Sequence, residues 1–165
     1  MAVMKGPNAF QRGFQRFASL RPMAWVFRHT AHHLDRATAK LTKGRTLSGM
    51  LAGIPNIMLT TTGAKSGQQR TVPLVGLNID GNIAIVGTRF GSHEHPGWYH
   101  NLMKNPAATV EVNGTVTPVT ARLVQPGSEY DRIMATADGV YTGYAKYRSR
   151  ITDRHIPIFM LEASR

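Results

Sequence analysis

The residues best suited to chemistry lie in one short segment, Leu59–Arg70, whose sequence is LTTTGAKSGQQR. It leaves an apolar run, passes two glycines and carries Lys65, Ser66 and Arg70. An ammonium, a hydroxyl, a forked guanidinium and backbone N–H groups beside small residues are the donors that a phosphate or carboxylate needs. It is not a Walker A loop, because no Gly-Lys-Ser/Thr follows the first glycine at the required spacing. We therefore predict an anion site here, with a hairpin loop that carries incidental basic residues as the alternative.

Two histidine pairs also have a spacing that metal ligands use. His29 and His33 are four residues apart on a predicted helix, and His93 and His95 flank Glu94 in a predicted loop. Neither pair has an obvious third ligand near it, and the chain contains no cysteine. We therefore predict structural or solvent roles for these histidines and no metal site.

The segments around the predicted anion site have the pattern of short strands. Tight-turn signals at Asp80-Gly81-Asn82 and Asn113-Gly114 predict two hairpins, and Pro73 predicts an edge or a bulge. The predicted strands are Asn56–Thr62, Arg70–Ile79, Ile83–Thr88, Thr109–Val112, Thr115–Val124 and Ile156–Leu161.

Two helices are predicted between these strands. Gly97–Lys104 precedes the helix-stopping pair Asn105-Pro106, and Ser128–Ala137 begins with Ser128 as a candidate N-cap. Six strands with two or three helices predict a mainly β (α+β) fold, an antiparallel barrel that is closed or nearly closed, because closure removes exposed strand edges.

The first 49 residues have a different character and are predicted to form a separate segment before a barrel domain at 50–165. Phe10, Phe14 and Phe17 share one face of a predicted amphipathic helix, and arginines occupy the other. Glycines and a proline mark residues 40–55 as a linker. The segment 10–34 is predicted either to pack on the barrel or to lie on an anionic membrane.

The charge distribution points to an anionic partner. The formal net charge is +11, with nine basic residues against one acidic residue (+8) in residues 1–50 and eleven against eight (+3) in the rest. A basic surface that serves solubility is the alternative. No run of 18 apolar residues and no signal-peptide pattern occurs. We expect a cytoplasmic protein, with peripheral contact at the inner face of the plasma membrane as a further expectation.

Three separated segments carry a family resemblance. TTTGAKSGQQRTVPL, HPGWYHNLMKNP and YTGYAKYRSRITDRHIPI, in this order, resemble the deazaflavin (F420)-dependent nitroreductase and quinone reductase family over residues 50–163. The resemblance implies a split β-barrel related to the FMN-binding pyridoxamine phosphate oxidases, with coenzyme F420 as cofactor and FMN less favoured. It implies reduction of a flat, hydrophobic organic acceptor: a quinone, a nitroaromatic or an activated enone.

The resemblance also implies which residues bind the cofactor. One loop holds its phosphate and the start of its glutamate tail, a Val-Pro strand lies along the ring, a second loop touches the ring, and a Trp-Tyr pair opens a covering helix. These residues are Lys65, Ser66, Gly67, Arg70, Val72, Pro73, Thr88, Arg89, Phe90, Gly91, Trp98 and Tyr99.

For the acceptor, the resemblance implies a pocket lined by Tyr141, Tyr144 and Tyr147. We expect the hydroxyl of Tyr144 or Tyr141 to hydrogen-bond the acceptor oxygen and stabilise the charge that develops there. Without the resemblance, packing along one helix face is the favoured interpretation. The family pattern often has arginine at Ala64 and tyrosine at Val75, and the missing tyrosine predicts a wider, drier pocket.

Other function classes remain open from the sequence. One is an enzyme of the same fold that uses FMN or haem, and FMN would also need a phosphate-binding loop. Another is a protein that binds F420 without turning it over. A nucleic-acid-binding module is disfavoured, because the charge is concentrated before the barrel and no DNA or RNA motif occurs.

Overall fold

The computed structural model describes residues 55–164. The predicted N-terminal helix, the His29/His33 pair and nearly all of the predicted linker lie outside these residues. No helix in the described part of the chain is long and apolar enough to cross a membrane.

The described chain forms seven strands and three helices. The strands are β1 Asn56–Thr62, β2 Gln69–Val75, β3 Leu77–Ile79, β4 Asn82–Val86, β5 Ala107–Val112, β6 Thr115–Leu123 and β7 Ile158–Ala163. The helices are α1 Gly97–Lys104, α2 Ser128–Val140 and α3 Gly143–Arg148, and a single 3₁₀ turn spans Arg89–Gly91.

All seven strands form one antiparallel sheet in the order β2-β1-β5-β6-β7-β4-β3. Its two edge strands, β2 and β3, are consecutive in the chain and are separated only by Gly76. The sheet therefore curls until its edges meet at one residue. This geometry confirms the predicted antiparallel split barrel.

Gly76 lies at the corner where the chain passes from one edge strand of the sheet, β2, to the other, β3. A Cβ atom there would lie 2.6 Å from Cγ2 of Ile57 and 3.1 Å from Cγ2 of Ile83. Only a residue without a side chain allows this approach. The prediction of one strand over Arg70–Ile79 was wrong for this reason, since the corner divides it into β2 and β3.

The local turn predictions are confirmed. Asp80 and Gly81 have φ values of 51° and 88°, and Asn113 and Gly114 have 51° and 84°, as type I′ hairpin turns require. Pro73 lies in β2, an edge strand, where its missing N–H costs no sheet hydrogen bond.

The helix predictions hold in part. Helix α1 has the predicted bounds, but the prediction that Ser128 is the N-cap of α2 was wrong. The N-cap is Gly127, whose φ of 147° makes a bend that favours glycine, and no side chain caps this helix. Helix α2 also continues three residues past the predicted end, and α3 was not predicted as an element.

Two apolar clusters cover the two faces of the sheet. Along β7, Ile158 and Met160 belong to the cluster under α2 and α3, whereas Phe159 and Leu161 belong to the cluster under α1. Alternate side chains of a strand point to opposite faces, so β7 is buried on both sides. Helix α1 and helix α3 are thereby held on different faces of the sheet, and the segment after β4 runs between them.

Candidate functional site

The β1–β2 loop closes on itself through its own backbone. The Gly63 amide donates to Gln68 O and the Gly67 amide donates to Gly63 O, each at 2.8 Å. A Cβ at Gly63 would lie 2.7 Å from Ser66 Oγ, and Gly67 has a φ of 68°, so both glycines are needed for this tight shape. The side chains of Lys65, Ser66 and Arg70 are exposed on it.

Within the described residues, no donor of this loop is bound to a charged acceptor. The amides of Lys65 and Ser66 have no acceptor there, and Ser66 Oγ accepts from the Gln68 amide at 3.3 Å, which leaves its own hydrogen free to donate. Arg70 donates to Gln68 Oε1 at 3.1 Å, an uncharged partner. Two amides, a hydroxyl, an ammonium and a guanidinium form a donor set that suits a phosphate.

The electrostatics of the described chain favour an anion at the same loop. Six of its eight acidic residues pair with an arginine or a histidine elsewhere. Neither Lys65 nor Arg70 takes part in any of these ion pairs. The positive charge of the loop is therefore not compensated by a carboxylate within residues 55–164.

Helix α1 holds the loop in place through two side chains that the sequence did not single out. Asn101 Nδ2 donates to Oγ1 of the buried Thr61 at 2.9 Å, and the Ala64 amide donates to Asn101 Oδ1 at 2.9 Å. Lys104 Nζ donates to Ala64 O at 2.7 Å. The only sequence signal was the position of Asn101 one helical turn after Trp98, which does not reveal contacts to residues about forty positions earlier.

The turn that follows β4 is the second candidate element of the site. Arg89, Phe90 and Gly91 have consecutive positive φ values of 45°, 56° and 80°. Left-handed backbone at a residue other than glycine costs on the order of 1–3 kcal/mol and persists only where the surroundings impose it. The buried Thr88 precedes this turn, and the residues of the turn itself are half-buried.

Arg154, which the sequence did not single out, binds the backbone on either side of this turn. Its guanidinium donates to the carbonyl oxygens of Gly87 and Thr88, each at 3.2 Å, and to that of Ser92 at 3.0 Å. Arg89 is held separately by an ion pair with Glu94. Arg154 therefore binds the backbone on both sides of the turn, at Gly87 and Thr88 before it and at Ser92 after it.

The tyrosines pack against this turn. The Tyr147 ring meets Phe90 edge to face, with ring centroids 5.9 Å apart, and Arg150 lies 5.7 Å from the Tyr147 ring centroid. The hydroxyls of Tyr141 and Tyr147 are hydrogen-bonded at 2.9 Å. Tyr144 lies below them in the core, 4% exposed, with its ring 5.7 Å from that of Tyr141.

Burial further favours the neutral form of these phenols. It raises the pKa of Tyr141, of Tyr144 and of Tyr147 above the ordinary value of 10.0. All three hydroxyls are therefore protonated at neutral pH and able to donate a hydrogen bond. Only Tyr141 is both half-buried and hydrogen-bonded through its hydroxyl to a second tyrosine.

Helix α1 joins the two parts of the site. At its start, His95 stacks on Tyr99 with ring centroids 4.2 Å apart, and Arg89 donates to His95 O at 3.2 Å. At its end, Asn101 and Lys104 hold the β1–β2 loop. Eight helical residues span about 12 Å at 1.5 Å per residue. The β1–β2 loop with its donors (the donor loop, residues 63–70) and the aromatic side chains beside the turn after β4 (the aromatic wall, Phe90, Tyr141 and Tyr147) are therefore linked to opposite ends of one short helix.

The remaining predicted residues lie beside this helix. Trp98 is buried and Tyr99 half-buried, each with its ring centroid 6.1 Å from that of Phe159. Val72 packs on the same cluster, and its neighbour Pro73 is half-buried in the edge strand. Trp98, Tyr99 and Val72 thus pack on one apolar cluster, on the face of the sheet that α1 covers.

Comparison with known proteins identifies the family. The model of the F420H(2)-dependent quinone reductase family matches residues 28–163. The chain belongs to this family. The matched region also includes part of the N-terminal segment that the sequence resemblance did not cover.

Individual relatives agree with this quinone reductase family. An F420H(2)-dependent quinone reductase of Mycobacterium tuberculosis H37Rv is 35% identical over 142 residues, which cover 83% of this chain and 95% of that one. The solved structure of an F420-H2 dependent reductase (FDR-A) is 40% identical, with a TM-score of 0.60, over 66% of this chain and 94% of that one. A haem storage protein of Vibrio cholerae is only 12% identical over 80% of this chain and 91% of its own, with a TM-score of 0.51, and shares the fold alone.

Family membership decides between the cofactors that the sequence left open. The protein is an F420-dependent oxidoreductase, and its cofactor is reduced coenzyme F420 rather than FMN or haem. The residues present fit this group: the donor loop suits a phosphate, and the half-buried aromatic and apolar surface along α1 suits a flat ring.

Proposed function

We propose that this chain reduces quinones with F420H2, binding the cofactor along α1 with its phosphate on the β1–β2 loop and its ring beside the turn after β4. The observation that carries this proposal is the placement of free donors at one end of α1 and aromatic side chains at the other. A cofactor that is anionic at one end and flat at the other matches both ends at once.

In this arrangement the phosphate accepts hydrogen bonds from the amides of Lys65 and Ser66, the Ser66 hydroxyl and the side chains of Lys65 and Arg70. Asn101 and Lys104 keep the loop amides oriented, so little ordering is needed when the anion arrives. Val72, Pro73, Trp98 and Tyr99 lie along the ring, and Thr88 to Gly91 close over its edge. These assignments are those that the sequence resemblance implied, and the packing of Val72, Trp98 and Tyr99 on one apolar cluster supports them.

On the acceptor side, the Tyr141–Tyr147 hydroxyl pair is the polar feature. Bound F420H2 supplies a hydride, and the quinone takes up one proton with it. Tyr141 donates a hydrogen bond to the quinone oxygen on which negative charge develops, which stabilises the transition state. Tyr147 holds the Tyr141 hydroxyl in place, and the pair passes a proton from solvent to that oxygen. Phe90 and Tyr147 keep the acceptor flat and exclude water.

The cofactor site is tested by the variants Lys65→Ala, Arg70→Ala and the combination of both. Each charge-assisted hydrogen bond contributes about 1.5–3 kcal/mol, so the double variant should bind F420 roughly 100-fold or more weakly. Spectroscopic titration with F420 measures this affinity. Arg132→Ala, which removes one positive charge from α2 where it pairs with Asp80, is the control and should bind normally. Unchanged affinity in the double variant would refute the proposed cofactor site.

We propose quinones as the main acceptors and nitroaromatics and activated enones as secondary ones. Val75 is half-buried next to the barrel corner and offers no hydroxyl to an acceptor, so selection falls to the Tyr141 hydroxyl and the aromatic wall. The rates of F420H2 oxidation with menadione, a nitroaromatic and an enone, each measured under the same conditions, give the order of acceptor preference. Faster turnover of the nitroaromatic than of menadione would reverse this assignment.

Peripheral contact with an anionic membrane through residues 10–34 is a separate proposal that rests on the sequence alone. Its support is the aromatic and arginine pattern of Phe10, Arg12, Phe14, Arg16 and Phe17. Flotation with vesicles that contain phosphatidylserine, compared with neutral vesicles, tests it in the full chain. Equal recovery with both vesicle types would exclude electrostatic membrane binding.

A further inference from the structure

The phenol ring of Tyr141 folds back directly onto Gly143, the first residue of α3. A side-chain methyl group at Gly143 would overlap Cε1 and Cζ of Tyr141 and would lie 2.6 Å from its hydroxyl oxygen. We propose that Gly143 is the positioning residue for Tyr141, and that its missing side chain decides the acceptor selectivity of the enzyme. This inference rests on the proposed function, because it concerns the same acceptor site.

The backbone at Gly143 does not itself require glycine. The glycines with positive φ in the described residues are Gly67, Gly81, Gly91, Gly114 and Gly127, and Gly143 is not one of them. It is a buried residue in an ordinary helical turn, where alanine is favoured over glycine by about 1 kcal/mol. The space occupied by the Tyr141 ring is therefore the reason that the structure offers for a glycine at this position.

The ring position that Gly143 permits has two consequences. It brings the Tyr141 hydroxyl to 2.9 Å from that of Tyr147, and it sets the Tyr141 ring at 81° to the ring of Tyr144. Tyr147 is held independently by Phe90 and Arg150. A displaced Tyr141 would thus lose its partner while the rest of the aromatic wall stayed in place.

Moving this ring is compatible with folding. The overlapping atoms are at the far end of a half-buried side chain. We therefore expect the ring, and not the backbone, to move when a methyl group is added at Gly143. In Gly143→Ala, the Tyr141 hydroxyl should leave the pair, and the edge of the acceptor pocket should recede. The donor loop lies at the other end of α1 and is untouched.

The chain supplies a matched control two residues before Tyr141. Gly139 lies in α2, and no atom outside its own helix backbone and chain neighbours lies within 4 Å of the place its Cβ would occupy. Gly139→Ala adds the same methyl group to the same part of the chain without meeting Tyr141. Tyr141→Ala and the double variant Gly143→Ala/Tyr141→Ala complete the set.

The experiment measures kcat and KM for menadione and for the smaller benzoquinone, and F420 affinity, in all five proteins. In Gly143→Ala we expect kcat/KM for menadione to fall about tenfold, the order expected for the loss of one hydrogen bond to the acceptor. The ratio of kcat/KM for menadione to kcat/KM for the smaller benzoquinone should rise, because the displaced Tyr141 ring leaves more room for the larger quinone. F420 affinity should stay within about twofold, because the donor loop supplies most of it. Gly139→Ala should match the wild type.

The double variant separates positioning from a general structural effect. If Gly143 acts through the Tyr141 ring, adding Gly143→Ala to Tyr141→Ala should change neither kcat nor KM further. If Gly143→Ala alone lowers the melting temperature, removing the ring should restore it, because the overlap is gone. An effect of Gly143→Ala that persists without the Tyr141 ring overturns the inference, as does equal behaviour of Gly143→Ala and Gly139→Ala. A wild-type protein that oxidises no F420H2 with any quinone refutes the proposed function itself.

Discussion

Three tyrosines that look equivalent in the sequence have different surroundings in the fold. Tyr144 is buried among apolar side chains such as Ile133 and Ile151, whereas the Tyr141 and Tyr147 hydroxyls pair with each other beside Phe90. The geometry therefore favours Tyr141 over Tyr144 as the donor to the acceptor oxygen. Tyr144 serves as the apolar support beneath its ring.

Removal of the Tyr141 hydroxyl tests this distinction. Tyr141→Phe keeps the ring but removes the donor, and the loss of this one hydrogen bond to the acceptor should lower both kcat and kcat/KM for menadione by about tenfold. F420 affinity should not change. Tyr130→Phe is the control, because its hydroxyl donates to Ile156 O at 3.1 Å, outside this site. Steady-state kinetics with menadione provide the measurement, and a larger kcat loss in Tyr144→Phe than in Tyr141→Phe would contradict the assignment.

At the scale of elements, the barrel depends on the corner between β2 and β3. The hairpin turns at Asp80-Gly81 and Asn113-Gly114 are encoded locally, because these residue pairs adopt positive φ readily. Gly76 is different, since it is needed only when Ile57 and Ile83 approach it from other strands. A glycine within a β-pattern indicates a bulge or corner, but the pattern does not show which strands lie opposite.

Substitution of this corner should destabilise the barrel without touching the donor loop. Gly76→Ala places a methyl group against Ile57 and Ile83, and overpacking of this kind costs about 1–3 kcal/mol in the free energy of unfolding. Gly97→Ala, at a position with no atom within 4 Å of a Cβ, should change it by less than about 0.5 kcal/mol. Urea denaturation compares the two. Equal stability of both variants would show that the corner tolerates a side chain.

At the scale of the whole molecule, charge and shape act together. The formal net charge is +11, and the acidic residues of the described part are mostly paired away from the donor loop. An anionic cofactor is therefore attracted over a distance and then bound by local donors. A neutral quinone is not attracted in this way.

Ionic strength should affect the KM for F420H2 but not the KM for menadione. Raising ionic strength from about 0.01 M to 0.15 M shortens the Debye length from about 30 Å to about 8 Å. The KM for F420H2 should rise over this range, while the KM for menadione should stay nearly constant. Initial rates at several salt concentrations test this, and a parallel rise in both KM values would point to a general salt effect on the enzyme.

The sequence by itself determined the antiparallel hairpins, the bounds of α1 and the contiguous donor loop from Lys65 to Arg70. These features depend on backbone preferences and side chains within about ten residues of one another. Tertiary structure alone decided that Asn101 and Arg154 hold the site. Asn101 is 37 residues from the amide it binds, and Arg154 is 62 to 67 residues from the carbonyl oxygens it binds. Contacts over such separations exist only after the sheet has curled, because its closure brings the ends of distant strands to one rim.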